Sequence, residues 1–388
     1  MRTITLLLLI LLSVAGWLPA QTTLTGTIQS GGLTREYLLY VPAIYNGTTA
    51  VPLVLNLHGY TSNNLAQSLY GDFRSIADTA NFLIVHPNGT LDAQGNRFWN
   101  TFGGGSSVND VGFLSDLIDS LQAVYNIDPN RVYSTGMSNG GFMSYALACG
   151  LNDRIAAIAS VTGSMTTANL AACQPDRPVP VMEIHGTADN TVPYNGSVFS
   201  GFVAIPTLVA AWVNFNNANS TPTVTQVPNT NTGDGSTVEH YRYTGGDLGS
   251  TVEHYKVIGG GHTWPGAIFN IGVTNQDINA SREIWRFFRQ YRLDQLTAAA
   301  TPETAGGWSA FPNPADDYIL LQTRAADVEA TMIQVYDAAG RLVISSRPVP
   351  GERPIRLRTG DWADGAYTVV VLDRQGSAQR LQVVKKSR

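Results

Sequence analysis

A chain of 388 residues is longer than one ordinary domain, and its 44% hydrophobic content suffices to bury a sizeable core. The formal charge of −5 and the lack of any dense basic run beyond Lys385-Lys386 argue against a nucleic-acid partner. No Cys/His cluster, H-E-x-x-H motif or calcium-loop spacing occurs, so neither a metal nor another cofactor is predicted.

The chain opens with a leader. Arg2 supplies a positive charge, Ile4–Leu18 an apolar stretch short for a membrane span, and Pro19-Ala20 a small residue before Gln21. Residues 1–20 therefore read as a secretory signal peptide, and no integral membrane span is expected after processing. Export implies an oxidising compartment. The two cysteines, Cys149 and Cys173, are expected to form one disulfide there.

Beyond Gln21, Thr23–Gln29 and Arg35–Val41 alternate in polarity around a Gly31-Gly32 turn and predict two strands. Pro52–Leu57 is a continuous apolar run, as in a strand buried on both faces. A helix is predicted over Ala66–Ala80, a strand over Phe82–His86, and a helix over Asp110–Tyr125 with Asp110 as N-cap. Asp128-Pro129 reads as a turn, Arg131–Thr135 as a strand and Phe142–Cys149 as a helix. Strands at Ile155–Val161 and Val179–Ile184 follow, then a helix at Ile205–Phe215. Two copies of STVEHY, Ser236–Tyr241 and Ser250–Tyr255, predict an antiparallel hairpin on or near a sheet edge. Asp277–Arg292 closes the unit as an amphipathic helix. Strands alternating with helices predict a doubly wound α/β sheet over residues 21–295. Residues 296–310, rich in Ala, Thr, Gly and Pro, read as a linker. Residues 311–388 hold short strands without a helix and predict a small all-β sandwich.

One motif stands out in this frame. Gly136-Met137-Ser138-Asn139-Gly140 is a G-x-S-x-G pentapeptide between a predicted strand and a predicted helix. A serine hydroxyl needs a base, and in this fold the acid and then the base follow it in the chain. His262, after Gly259-Gly260-Gly261, fits the base; Asp189, in the loop after the strand ending at Ile184, fits the acid. His240 and His254 lie in the repeated hexapeptide and read as half-exposed strand residues. The oxyanion hole is expected from the backbone N–H groups of Asn139 and Tyr60, with His58 holding the second loop. Trp99, in a Gly-rich loop, and Trp264, two residues past His262, are candidate substrate-binding rings.

These residues carry a resemblance. LHGY (Leu57–Tyr60), HPNG (His86–Gly89), DVGFLSDLID (Asp110–Asp119), DPNRVYSTGMSNGG (Asp128–Gly141), HGTADNTVPY (His185–Tyr194) and GGGHTWPG (Gly259–Gly266) resemble the extracellular poly(3-hydroxybutyrate) depolymerase and feruloyl esterase family, which includes acetylxylan esterases. The resemblance spans roughly Thr22–Leu293. It implies an α/β-hydrolase fold, the triad Ser138, Asp189 and His262, and the Cys149–Cys173 pair. Tyr60 stands where depolymerase-type members often carry Cys. FPNPADDYI (Phe311–Ile319), IQVYDAAGRLV (Ile333–Val343), DGAYTVVV (Asp364–Val371) and VVKK (Val383–Lys386) resemble the C-terminal sorting domain of type IX secretion. That resemblance implies the type IX machinery as partner and a secreted or surface location; a sugar-binding sandwich is the alternative. The expected function is serine hydrolysis of a carboxylic ester, either a feruloyl or acetyl plant-wall ester or a polyester. A non-catalytic surface protein on a hydrolase scaffold is the competing reading.

Overall fold

The computed structural model describes residues 21–101, 106–296, 308–311, 315–323, 329–338, 340–349, 351, 354–374 and 378–386. The expected signal peptide and most of the expected linker lie outside them. Contacts divide the chain into two units between Thr297 and Ala298.

The first unit begins with β1 (Thr22–Ser30), β2 (Leu33–Val41), β3 (Val51–Leu57), α1 (Asn64–Tyr70), α2 (Arg74–Ala80) and β4 (Leu83–Pro87). A short hairpin, β5 (Thr90–Leu91) and β6 (Arg97–Phe98), precedes α3 (Asp110–Gln122), β7 (Ile127–Met137), α4 (Asn139–Gly150) and β8 (Ala157–Val161). Then come α5 (Thr167–Ala172), β9 (Val181–Gly186), α6 (Ile205–Phe215), β10 (Thr223–Gln226), β11 (Thr237–Tyr243) and β12 (Val252–Ile258). Helices α7 (Ala280–Phe288) and α8 (Leu293–Leu296) close it.

Ten strands form one sheet in the order β1-β2-β4-β3-β7-β8-β9-β12-β11-β10. The six central strands, β4 to β12 in that order, are parallel. The outer pairs are antiparallel. Strands β3, β4, β8 and β9 are buried along their whole length, as parallel strands between two helical layers must be. Two apolar clusters, one on each face, result. Leu55, Phe113, Leu117 and Trp212 lie in one; Val54, Phe82, Trp264 and Phe287 lie in the other.

Several expectations shift. The helix expected over Ala66–Ala80 is two helices. Gly71 caps α1 through its N–H to Gln67, and a Cβ there would sit 2.7 Å from Gln67 Nε2. Asp72 then accepts from the Arg74 N–H and starts α2. Asp110 is not the N-cap of α3. Asn109 fills that place by accepting from the Gly112 N–H, while Asp110 turns inward to Arg35 at 2.7 Å. Asp128-Pro129 lies inside β7, in an irregular stretch where the pairing jumps from Val51↔Ile127 to Leu53↔Val132. The STVEHY copies do form an antiparallel hairpin, with His240 opposite Tyr255 and Tyr241 opposite His254. His254 is buried rather than half-exposed, because β12 is an inner strand paired on its far side with β9.

The second unit has seven strands among its described residues. They are β13 (Trp308–Phe311), β14 (Tyr318–Thr323), β15 (Ala330–Asp337), β16 (Leu342–Ser346), β17 (Ile355–Arg358), β18 (Gly365–Asp373) and β19 (Ala378–Lys385). Sheets β13-β14-β17 and β16-β15-β18-β19 supply one core that includes Ile319, Leu321, Val335, Trp362 and Val369. This is the packing of a sandwich.

Candidate active site

Strand β7 ends at the centre of the sheet, and a single residue, Ser138, separates it from α4. Its backbone takes φ 55° and ψ −122°, a sparsely populated conformation for a residue with a side chain. The surroundings hold it there. The Ser138 N–H donates to the Val161 carbonyl at 2.8 Å. A Cβ on Gly136 would lie 2.5 Å from the Gly140 carbonyl carbon, and one on Gly140 would lie 2.2 Å from the Leu57 carbonyl oxygen. The small residues of the pentapeptide are thus required by the closeness of three backbones.

The loops after β9 and β12 meet beside this turn. The Thr187 and Ala188 N–H groups donate to Val257 and Gly260 at 2.8 and 2.9 Å. A Cβ on Gly186 would strike the Gly260 carbonyl oxygen at 2.2 Å. Asp189 and His262 are thereby joined, with His262 Nδ1 2.7 Å from Asp189 Oδ2. The other carboxylate oxygen accepts from the N–H groups of Thr191 and Val192, each at 2.8 Å. Burial works to raise the pKa of Asp189, but the His262 bond and these amides outweigh it and hold the carboxyl below its usual value. Asp189 is therefore ionised and acceptor-only, so His262 Nδ1 is the donor in this contact.

Ser138 and His262 line one cleft of about 420 Å³, with Tyr60, Tyr70, Phe269 and Ile271 among its other walls. No hydrogen bond joins Ser138 to His262 in this resting geometry; such contacts often tighten only with substrate bound. The cleft wall is mainly apolar. Phe269 and Ile271 are 57% and 61% exposed and follow His262 in the chain. Sequence reading missed both, since neither lies in a recognisable motif.

The two expected tryptophans are placed elsewhere. Trp99 is 0% exposed and Trp264 1% exposed, and neither lines the cleft. Trp264 Nε1 donates to Ser281 Oγ at 3.2 Å, and its ring lies edge-on to Phe73. Trp99 Nε1 donates to the His58 carbonyl at 2.9 Å. Each ring has a polar partner inside the protein, so burial costs it no unpaired N–H. Tyr60 is 47% exposed at the cleft mouth, its hydroxyl donating to Asp92 at 2.6 Å. Asn139 heads α4, where the backbone N–H has no intrahelical partner.

A buried ionisable pair backs the acid. His185 Nδ1 lies 2.8 Å from Glu183 Oε1, and His185 Nε2 lies 2.8 Å from the Val192 carbonyl and 3.4 Å from Asp189 Oδ2. Tyr145 donates to the other Glu183 oxygen at 2.8 Å. Burial raises the Glu183 pKa. For His185 burial pulls down, but the Glu183 carboxylate more than offsets it. His185 lies within the HGTADNTVPY segment, which by itself assigns it no role. Strand alternation alone does not say that positions 183 and 185 face the same buried partner.

A strained serine between the central strand and a helix, with an acid and a histidine from two later strands at the same sheet end, defines an α/β-hydrolase. Residues 35–189 match the family model described as Esterase PHB depolymerase, and residues 309–385 that of the Secretion system C-terminal sorting domain. Over residues 35–189 the first unit is thus similar to the esterase PHB depolymerase family. The second is a secretion sorting domain, which marks a secreted or surface protein. The chain is 32% identical over 163 residues to a bifunctional acetylxylan esterase/xylanase of Neocallimastix patriciarum, covering 42% of this chain and 22% of that protein. It is 29% identical over 166 residues to feruloyl esterase B of Piromyces equi, covering 42% and 31%. It thus spans under a third of the length of each. An acetyl xylan esterase structure from Aspergillus awamori matches 69% of this chain and 99% of its own at TM-score 0.50 and 16% identity, a likeness of fold.

Proposed function

We propose that the protein is an exported serine carboxylic-ester hydrolase working through an acyl-enzyme. The observation that carries this is the 2.7 Å Asp189–His262 contact on the wall of the cleft that holds the strained Ser138. Ser138 Oγ attacks the ester carbonyl while His262 Nε2 takes its proton. The oxyanion that forms accepts from the N–H groups of Asn139 and Tyr60. The tetrahedral intermediate collapses, the C–O bond to the alcohol breaks, and His262 protonates the leaving oxygen. Water, deprotonated by His262, then releases the acid and frees Ser138. Asp189 holds the tautomer and stabilises the imidazolium.

The apolar wall of Tyr70, Met137, Phe269 and Ile271 suits the acyl side of a plant-wall feruloyl or acetyl ester, or of a polyhydroxybutyrate-type polyester. The sorting domain supports delivery to such extracellular polymers by the type IX machinery. A fluorophosphonate probe and a panel of methyl ferulate, acetylated xylan and polyhydroxybutyrate film test the reading. The expected result is stoichiometric labelling that Ser138→Ala abolishes, together with turnover of at least one ester. Full labelling of Ser138→Ala, or a folded parent that is inert to probe and panel alike, refutes it and leaves a non-catalytic scaffold.

A further inference from the structure

The two proposed oxyanion donors belong to different parts of the sheet. Tyr60 follows β3, and Asn139 heads α4. A hole made of two such groups works only if they keep a fixed separation while charge develops.

The Tyr60 side is set through His58. The Gly89 N–H donates to His58 Nε2 at 3.0 Å, so that nitrogen carries no proton and Nδ1 does. Nδ1–H donates to the Gly59 carbonyl at 2.7 Å. Across a planar trans peptide the C=O and the following N–H point in opposite directions. Holding the Gly59 carbonyl therefore aims the Tyr60 N–H, which makes no hydrogen bond with any described residue. The peptide before it is held as well, because Trp99 Nε1 donates to the His58 carbonyl at 2.9 Å.

The Asn139 side is set by the same tryptophan. Asn139 Oδ1 accepts from the Trp99 N–H at 2.6 Å, and Asn139 Nδ2 donates to the Trp99 carbonyl at 3.1 Å. Nδ2 also donates to Thr101 Oγ1 at 2.9 Å. One buried residue thus holds the His58 carbonyl, two residues before Tyr60, by its indole and the Asn139 side chain by its backbone. Its ring lies 5.1 Å from that of His58 and stacks on Phe113, so packing locks its rotamer.

We propose that Trp99 is a positioning residue that ties the two halves of the oxyanion hole into one rigid unit, with His58 and Asn139 as its two points of attachment. The proposal rests on the serine mechanism above. It assigns the bulky ring a task in transition-state binding although it never touches substrate.

The test compares Trp99→Phe and Asn139→Ala with the parent chain. Trp99→Phe keeps a ring but loses the donor to His58; Asn139→Ala keeps the backbone N–H but loses the clamp. We measure kcat and KM on a soluble nitrophenyl ester and the inhibition constant of a trifluoromethyl ketone, whose serine adduct mimics the oxyanion. Each variant should lower kcat by about tenfold or more, since losing a whole oxyanion donor costs about a hundredfold to a thousandfold. KM should stay within about twofold, and the ketone should weaken by the same factor as kcat. The double variant should be no worse than the weaker single, because both cut one linkage. A purely structural role predicts a lower Tm with kcat and ketone affinity intact. That result in either folded variant overturns the proposal. Ser138→Ala separates the two readings: activity retained there sinks the serine mechanism and this proposal together. An inactive Ser138→Ala beside a normal Trp99→Phe sinks only the positioning role.

Discussion

Replacing Gly140 with Ala adds one methyl group where backbone crowds the Cβ position from three atoms. That Cβ would stand 2.2 Å from the Leu57 oxygen, 2.6 Å from the Leu57 carbonyl carbon and 2.8 Å from the His58 oxygen. All three are backbone atoms, so no side chain gives way. An ordinary contact is about 3.5 Å, so α4 and the end of β3 must part by about 1 Å. These are the elements that carry Asn139 and the approach to Tyr60. A misplacement of about 1 Å costs about a hundredfold in rate, and overpacking of this kind costs about 1–3 kcal/mol of stability. Gly140→Ala should therefore lose about two powers of ten in kcat on a nitrophenyl ester. Its Tm should fall by roughly 2–12 °C, at about 2–4 °C per kcal/mol for a unit of this size. Gly150→Ala, at the far end of the same helix, is the control, because its Cβ would meet only Val111 at 3.8 Å. A Gly140→Ala variant with kcat within about threefold of the parent would refute the claim that backbone contact there sets the site.

Other outcomes follow from the same structure. Cys149, in the last turn of α4, and Cys173, the C-cap of α5, form a disulfide 24 residues apart in sequence. Reducing it should cost about 3 kcal/mol in denaturant unfolding and leave kcat within about twofold, because neither sulfur lines the Ser138 cleft. Burial lowers the pKa of His58 and His86 to about 4 and of His254 to about 3. Each stays neutral in the fold where the unfolded chain would already bind a proton. Their contribution is whole above pH 6.5 and is lost as the pH falls toward 4, by at most about 3 kcal/mol each. The Glu183–His185 pair, with both pKa values raised, works in the opposite sense and reduces that total. A Tm that stays flat from pH 7 to pH 4.5 would contradict this. A chain ending at Leu296 should hydrolyse a soluble ester with unchanged kcat, since all the proposed catalytic residues lie in the first unit. It should stay in the cell envelope instead of reaching the medium, and normal export of it would refute the sorting role.

Sequence alone carried whatever depends on local order and period. The alternation of apolar runs with helical repeats is local, so the doubly wound class and most strand positions were readable. So was Ser138, because the strained turn demands small neighbours on both sides, and these are adjacent in the chain. Asp189 and His262 were proposed from chain order and from the strands they follow, and the structure brings them to 2.7 Å of each other. Tertiary structure decided what depends on contacts across the sheet. The roles of Trp99 and Trp264 turned inward because partners 41 and 17 residues away, His58 and Ser281, accept their indole protons. Asp110 lost the cap to Asn109 because Arg35, 75 residues distant, captures it. His254 is buried because β12 lies inside the sheet and not at its edge. The apolar wall of Phe269 and Ile271 has no periodicity to betray it. Its place follows only from how the loop after His262 returns over the cleft. Local chemistry constrains the backbone of each segment, but which side chains meet is set by the packing of segments remote in sequence.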